Sequence, residues 1–182
     1  MELQEVIEKR RTIRVFRKKT SEEELKKIIL AGTRAPSAGN SQPWEFIIID
    51  DQAVIDQIAE RKYQLSLTMP ARAGEGPDEV RQRALSQKKS FENASAVAVC
   101  HQKGHAASAW LCIENMSLAA VAHGLGSGIV VFWGEQEKEV KKILGLPQDY
   151  ELAAVLKIGE PGETPSAPPK RPELSWLHKN KF

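Results

Sequence analysis

The chain predicts a single layered domain of α/β or α+β class. Three observations carry this expectation. Short apolar runs and longer amphipathic stretches alternate along the sequence. Its 182 residues are one ordinary domain's length, enough to bury a core without covalent staples. A composition of 41% hydrophobic and 27% charged residues is that of a globular protein. The net charge of +2 implies no bulk nucleic-acid binding. Two cysteines cannot build a disulfide scaffold and point to a reducing compartment. The N-terminus is charged from residue 2 and has no apolar secretory core, and no uncharged apolar run approaches 18 residues. A cytoplasmic protein without membrane association is expected.

The elements follow in order. Leu3, Val6 and Ile7 have helical spacing, so Leu3–Arg10 reads as a helix. Between Lys9 and Lys19 lie seven basic residues and no acidic one, read as a basic loop. A capping box, Thr20/Glu23 or Ser21/Glu24, starts the next helix, which carries Leu25, Ile28 and Ile29 and is stopped by Pro36. Residues 35–43 have loop chemistry throughout. Trp44–Ile49 is a near-continuous apolar run, expected as a strand buried on both faces. Residues 53–61 are helical. Residues 62–85 hold Pro70, Gly74, Gly76 and Pro77 with no sustained period, and read as a mobile loop or lid with a helical fragment. Ala96–Cys100 is a strand, Ala107–His123 a strongly apolar helix ended by Gly124, and Ile129–Phe132 a third apolar stretch. Gln136–Leu144 is a charged helix and Leu152–Ile158 the last strand. From Gly159 the tail contains five of the ten prolines, which bars helix over most of its length.

Four constellations bear on chemistry. Arg10, Arg11, Thr12 and Arg14 offer guanidinium forks and a hydroxyl at a helix end, which suits a phosphate monoester. The same residues also fit a solvated charged face. Pro36-Ser37-Ala38-Gly39-Asn40-Ser41-Gln42-Pro43-Trp44 combines small residues with polar donors ahead of a strand, which suits a planar ligand or an empty turn. Gly124-Leu-Gly-Ser-Gly128 lacks the Lys-Ser/Thr of a phosphate loop and follows a helix, so a helix cap and flexible connection are expected. Cys100, His101, His105 and Cys112 are irregularly spaced, and no metal site is expected from them. No paired nucleophile and base has a recognisable context, and no catalytic side chain is assigned.

Taken in order, Arg10-Arg-Thr-Ile-Arg14 and Ala35-Pro-Ser-Ala-Gly-Asn-Ser-Gln-Pro-Trp44 closely resemble the two N-terminal motifs of the FMN-dependent nitroreductase family. Glu114–Ser127 is similar to that family's central helix. Gly145-Leu-Pro147, Ile158-Gly-Glu-Pro161 and Pro169-Lys-Arg-Pro-Glu-Leu174 resemble its C-terminal half. The resemblance covers nearly the whole chain. It implies an α+β fold with a central mixed β-sheet flanked by helices, and a C-terminal arm crossing to the partner subunit. Arg10, Arg11, Thr12 and Arg14 would grip the FMN phosphate and ribityl chain, joined by Arg171 and, second to it, Lys170. Pro36, Ser37, Asn40 and Gln42 would line the flavin ring from the partner in a homodimer. Val130, Val131 and Phe132 would run along the ring edge. Some members place an Asn and a Lys against the flavin where Gln87 and Ser90 stand here, so Gln87 is a further candidate. Phe132 and Trp133 would face the acceptor or belong to the core. The implied activity is ping-pong transfer from NADH or NADPH through FMN to nitroaromatics, quinones or similar electron-poor acceptors. Storage or sensing of FMN, dehalogenation or ring dehydrogenation on the same scaffold, and a non-flavin module binding an anionic partner remain alternatives.

Overall fold

The computed structural model describes residues 1–181. Its centre is a five-stranded sheet of β1 (Phe16–Lys19), β2 (Trp44–Ile49), β3 (Ser95–Gln102), β4 (Gly126–Val130) and β5 (Tyr150–Pro161). β5 is the hub. It pairs antiparallel with β3, with β4 and, through Gly159–Pro161, with β1. β2 adds antiparallel to the outer edge of β3. A parallel bridge between Thr12 and Ser127 makes the sheet mixed.

Side-chain alternation in β3 builds two cores. Val97 and Val99 face one side, with Cys112, Ile113 and Met116 of α5 (Ala106–Ala122) and Leu25 and Ile28 of α2 (Glu22–Gly32). Ala96, Ala98 and Cys100 face the other, with Ile55 and Ile58 of α3 (Gln52–Leu67) and Val140 of α6 (Gly134–Ile143). Each large aliphatic side chain fully buried here contributes about 1.5–3 kcal/mol of transfer free energy. α1 (Leu3–Lys9) lies against α5, and α4 (Pro77–Lys89) lies against α3 rather than on the sheet. The start of α2 uses Ser21, whose Oγ accepts from the Glu24 N–H at 3.3 Å.

Several sequence expectations are corrected. Residues 62–85 are not a mobile loop, because α3 continues to Leu67 and α4 begins at Pro77. α4 buries only Ala84, so it carries no apolar stripe to read. Polar ties hold this region instead. Lys88 reaches Glu60 at 2.6 Å, and the largely buried Arg83–Glu75 pair at 3.0 Å adds a bond from Arg83 to Pro70 O. The basic loop contains β1, a strand in which only Phe16 is buried. β2 is an edge strand with Glu45 exposed and residues 46–48 half-buried, not a strand buried on both faces. Gly124 does end α5 in the left-handed region, φ +74°, but Gly126–Gly128 are strand and not a flexible connection. β5 runs to Pro161, beyond the point where the tail was expected to begin.

Candidate functional site

The chain leaves α1 at Arg10 and crosses β4 in extended form. The Ile13 N–H donates to Ser127 O at 2.9 Å. Ile13 is buried while Thr12 and Arg14 point outward, the alternation of extended backbone. This crossing requires glycine beneath it. A Cβ on Gly126 would lie 2.5 Å from Ile13 Cγ1, and one on Gly128 would lie 2.5 Å from Ile13 O. From above, the Glu163 carboxylate accepts from the N–H groups of Arg14 and Val15, the latter at 3.1 Å. The arginine segment is thus clamped between β4 and the residues after β5.

The clamp collects charge. Arg10, Arg11, Thr12, Arg14, Ser166 and Lys170 line one groove of about 470 Å³, with Glu8 as its acid. Arg11 bends back on α1, donating to Glu8 O at 2.6 Å and Arg10 O at 2.8 Å, where the helix ends in unpaired carbonyls. Arg10 Nε stands 3.6 Å from Glu114 of α5. Four cations and two hydroxyls against one acid form a donor set suited to a phosphate dianion.

Other expected site residues lie elsewhere. Arg171 is exposed in the tail, where it donates to Ser175 O at 3.4 Å, and it does not line the arginine groove. Pro36, Ser37, Asn40 and Gln42 stand in the segment between α2 and β2, and none of them lines that groove. Their loop is preorganised. Gln42 N–H donates to Ser37 Oγ at 3.0 Å, Gln42 Nε2 to Asn40 Oδ1 at 3.3 Å, and Ala38 N–H reaches Ser108 Oγ of α5 at 3.5 Å. Gly39 takes φ +58° without cost, while Asn40 at +54° and Gln42 at +46° hold left-handed backbone that is strained for residues with a Cβ. Gln87 is half-buried near the end of α4, and its carbonyl accepts from Ser90 Oγ at 2.6 Å. Val130 and Phe132 are buried in the second core, Val131 is half-buried, and Trp133 is 47% exposed. Phe132 is therefore a core residue, and Trp133 is open to solvent.

Two lysines escaped the sequence reading. Lys157, 3% exposed on β5, donates to Ser90 Oγ. Burial, and then the positive charges of Arg14 and Lys62, lower its pKa to about 7. Lys62 of α3 lies 5.5 Å over the Trp133 ring, and burial lowers its pKa also. The signal for Lys157 was present as a lone charge inside the apolar run of β5. Lys62 sits among other polar residues and had none. Burial raises Cys100 to about 11 and Cys112 to about 12, so both thiols are inert near neutral pH. Among the described residues, no group of three or more His, Cys, Asp or Glu is placed to hold a metal ion.

The comparisons with known proteins agree with this architecture. A sequence relative from Archaeoglobus fulgidus, described as a putative NADH dehydrogenase/NAD(P)H nitroreductase, is 29% identical over 84% of this chain and 81% of its own. A 5,6-dimethylbenzimidazole synthase from Rhodospirillum rubrum is 32% identical over 92% of this chain and 85% of its own. The crystal structure of an oxidized iodotyrosine deiodinase bound to FMN and 3-iodo-L-tyrosine superposes with a TM-score of 0.80 at 25% identity, covering 100% of both chains. The profile of the nitroreductase family matches residues 7–160, and the chain belongs to that family.

Proposed function

We propose that this nitroreductase-family flavoprotein binds FMN and transfers reducing equivalents from NADH or NADPH to electron-poor organic acceptors such as nitroaromatics or quinones. The observation that carries the reading is the groove that gathers Arg10, Arg11, Thr12, Arg14 and Lys170. These residues fit the phosphate and ribityl end of FMN by charge and donor geometry. Arg171 follows Lys170 directly in the tail but lies outside this groove, so in this reading it reaches the phosphate only when the tail shifts on binding. Gln87 and the backbone of Val130–Phe132 hold the ring. FMN, when bound, accepts a hydride and passes two electrons on. The protein's part is to grip the phosphate, orient the ring and set the charge around it. No side chain is needed as an acid or base where the ring face is open to water.

A second copy of the chain completes the site in this reading. Leu3 and Ile7 of α1, Leu30 of α2, and Trp110 and Leu111 of α5 are all 40–68% exposed. That is more apolar surface on adjacent helices than a monomer usually leaves open. Burying it against a second copy would bring that copy's Pro36, Ser37, Asn40 and Gln42 to the ring. The tail supplies a further apolar set, Leu174, Trp176 and Leu177, each at least 54% exposed, for an arm across the dimer. Among the described residues, no helix is long and apolar enough to cross a membrane.

The names of the relatives favour a second reading, dehalogenation or synthesis of a benzimidazole ring on the same scaffold. The discriminating experiment is steady-state turnover of the FMN-loaded protein with p-benzoquinone, a nitroaromatic and 3-iodo-L-tyrosine as separate acceptors. The proposal expects NAD(P)H consumption with quinone or nitroaromatic and parallel double-reciprocal plots. Iodide release without quinone or nitro reduction would move the function to dehalogenation. FMN bound without any turnover would leave a storage or sensing protein.

A further inference from the structure

Three cations close around the backbone of Gly128–Val131. Lys157 rises from β5 beneath Gly128, where an added Cβ would lie 3.2 Å from Lys157 Cε. Its Nζ donates to Ser90 Oγ at the end of α4, and that hydroxyl donates onward to Gln87 O. The same Nζ lies 5.2 Å from the centroid of the Phe91 ring. Lys62 comes from α3 on the other side and reaches Val131 O at 3.4 Å. Arg14 comes from the clamped segment above, and the positive charges of both Arg14 and Lys62 act on Lys157. Glu163, after β5, is the acid whose field reaches Lys157, and its carboxylate already accepts from the Arg14 and Val15 N–H groups. Among the described residues, no carboxylate lies within ion-pair distance of Lys157 or Lys62.

Such an arrangement disfavours the charged form of Lys157. An ammonium has three donors, and a buried one facing like charges either gives up its proton or draws an anion to those donors. Gln87 and the Val130–Phe132 backbone are the groups placed beside the ring above, so in that reading the reduced ring is the anion that would face Lys157. We propose that Lys157 is the charge-balancing residue of the cofactor site: its ammonium, delivered through the sheet to Ser90, offsets the negative charge the FMN ring gains on reduction and binds a proton as that charge appears. This rests on the FMN reading. With its pKa at about 7, Lys157 exchanges a proton readily near neutral pH. The step balances. NAD(P)H gives the ring a hydride, which is two electrons and one proton, and the ring keeps one negative charge. Lys157 takes one proton from solvent. When a quinone or nitro acceptor takes the hydride back from the ring, the negative charge leaves with it, and the proton released by Lys157 balances the one the acceptor needs to form hydroquinone, or nitroso product and water.

The test compares FMN-loaded wild type with Lys157→Met and Lys157→Arg, anaerobically at pH 8. Proton uptake on reduction is read with an indicator dye, and the flavin potential by equilibration with a reference dye. Wild type takes up close to one more proton per flavin than Lys157→Met. That variant holds reduced FMN, relative to oxidised, at least tenfold less tightly, a potential lower by about 30 mV or more. Lys157→Arg keeps the wild-type potential or a higher one but loses the extra proton, which separates charge from titration and carries the test if the Met variant does not fold. Equal proton uptake and equal potentials in variants that bind FMN would overturn the role of Lys157 and leave the FMN reading standing. Failure of wild type to bind FMN would overturn both.

Discussion

The glycine pair in β4 gives the most demanding test of how the site is built. Gly128→Ala adds one methyl group, 2.5 Å from Ile13 O and 3.2 Å from Lys157 Cε. Ordinary contact begins near 3.4 Å, so the arginine segment must lift by close to an ångström. Overpacking of this kind costs about 1–3 kcal/mol. Stretching the bond from Ile13 N–H to Ser127 O removes about 1 kcal/mol more. The sum, about 2–4 kcal/mol, corresponds to a melting temperature lower by roughly 4–16 °C for a domain of this length. The variant also loses FMN, because Arg14 and Thr12 ride on the displaced backbone. Gly124→Ala is the control. Gly124 holds φ +74° and has nothing within 4 Å of an added Cβ, so it costs only the left-handed strain of about 1–2 kcal/mol and leaves FMN retention unchanged. Thermal unfolding followed by circular dichroism, with flavin counted after desalting, measures both. A Gly128→Ala protein that melts with wild type and keeps its flavin would refute the clamp.

Three further outcomes follow from the same structure. Arg14→Ala weakens FMN binding by about 1–3 kcal/mol, the loss of a charge-assisted contact, measurable as roughly 5- to 150-fold in Kd by flavin fluorescence; unchanged affinity would remove Arg14 from the site. Cys100 and Cys112, buried and held protonated, react with a thiol–disulfide reagent at pH 8 only as fast as the protein unfolds, and rapid native-state labelling would contradict their burial. The FMN-free protein grows more stable as pH rises from 7 towards 9. Lys157 titrates at about 7 when folded but near the ordinary lysine value of 10.5 when unfolded, so in that window the unfolded chain binds more protons. The gain is about 2–3 kcal/mol in urea unfolding, and Lys157→Met abolishes most of it; a flat wild-type profile would show that Lys157 is not buried as described.

The parts of this fold that were legible in the sequence are those where one physical requirement dominates. β3 and β5 need apolar side chains on both faces, and α5 packs over the sheet. Their patterns identified them to within a few residues. α4 was illegible because it rests on α3 and is held by Arg83–Glu75 and Lys88–Glu60, contacts that leave no periodic trace. β1 was illegible because four residues of basic edge strand have a single buried side chain. The glycines of β4 were misread because their reason is Ile13, 113 residues or more away in sequence, with its side chain over Gly126 and its carbonyl over Gly128, and not a turn. In the site, the arginine segment was legible as a cluster of one charge type. Its convergence with Lys170 depends on the path of the tail, which the sequence shows only as proline-rich. Lys157 stood in plain view as a charge within a strand, yet its meaning depends on Ser90, Arg14 and Lys62, which only the fold brings together.

A redox-active flavin held by the arginine groove and the β4 edge would show in the visible absorption spectrum of the purified protein after incubation with FMN and desalting, repeated anaerobically on addition of NADH and then NADPH. The expected result is flavin bands that survive desalting at close to one per chain and bleach with one of the nucleotides. A colourless protein after the same treatment would contradict it and return the arginine cluster to a solvated charged surface.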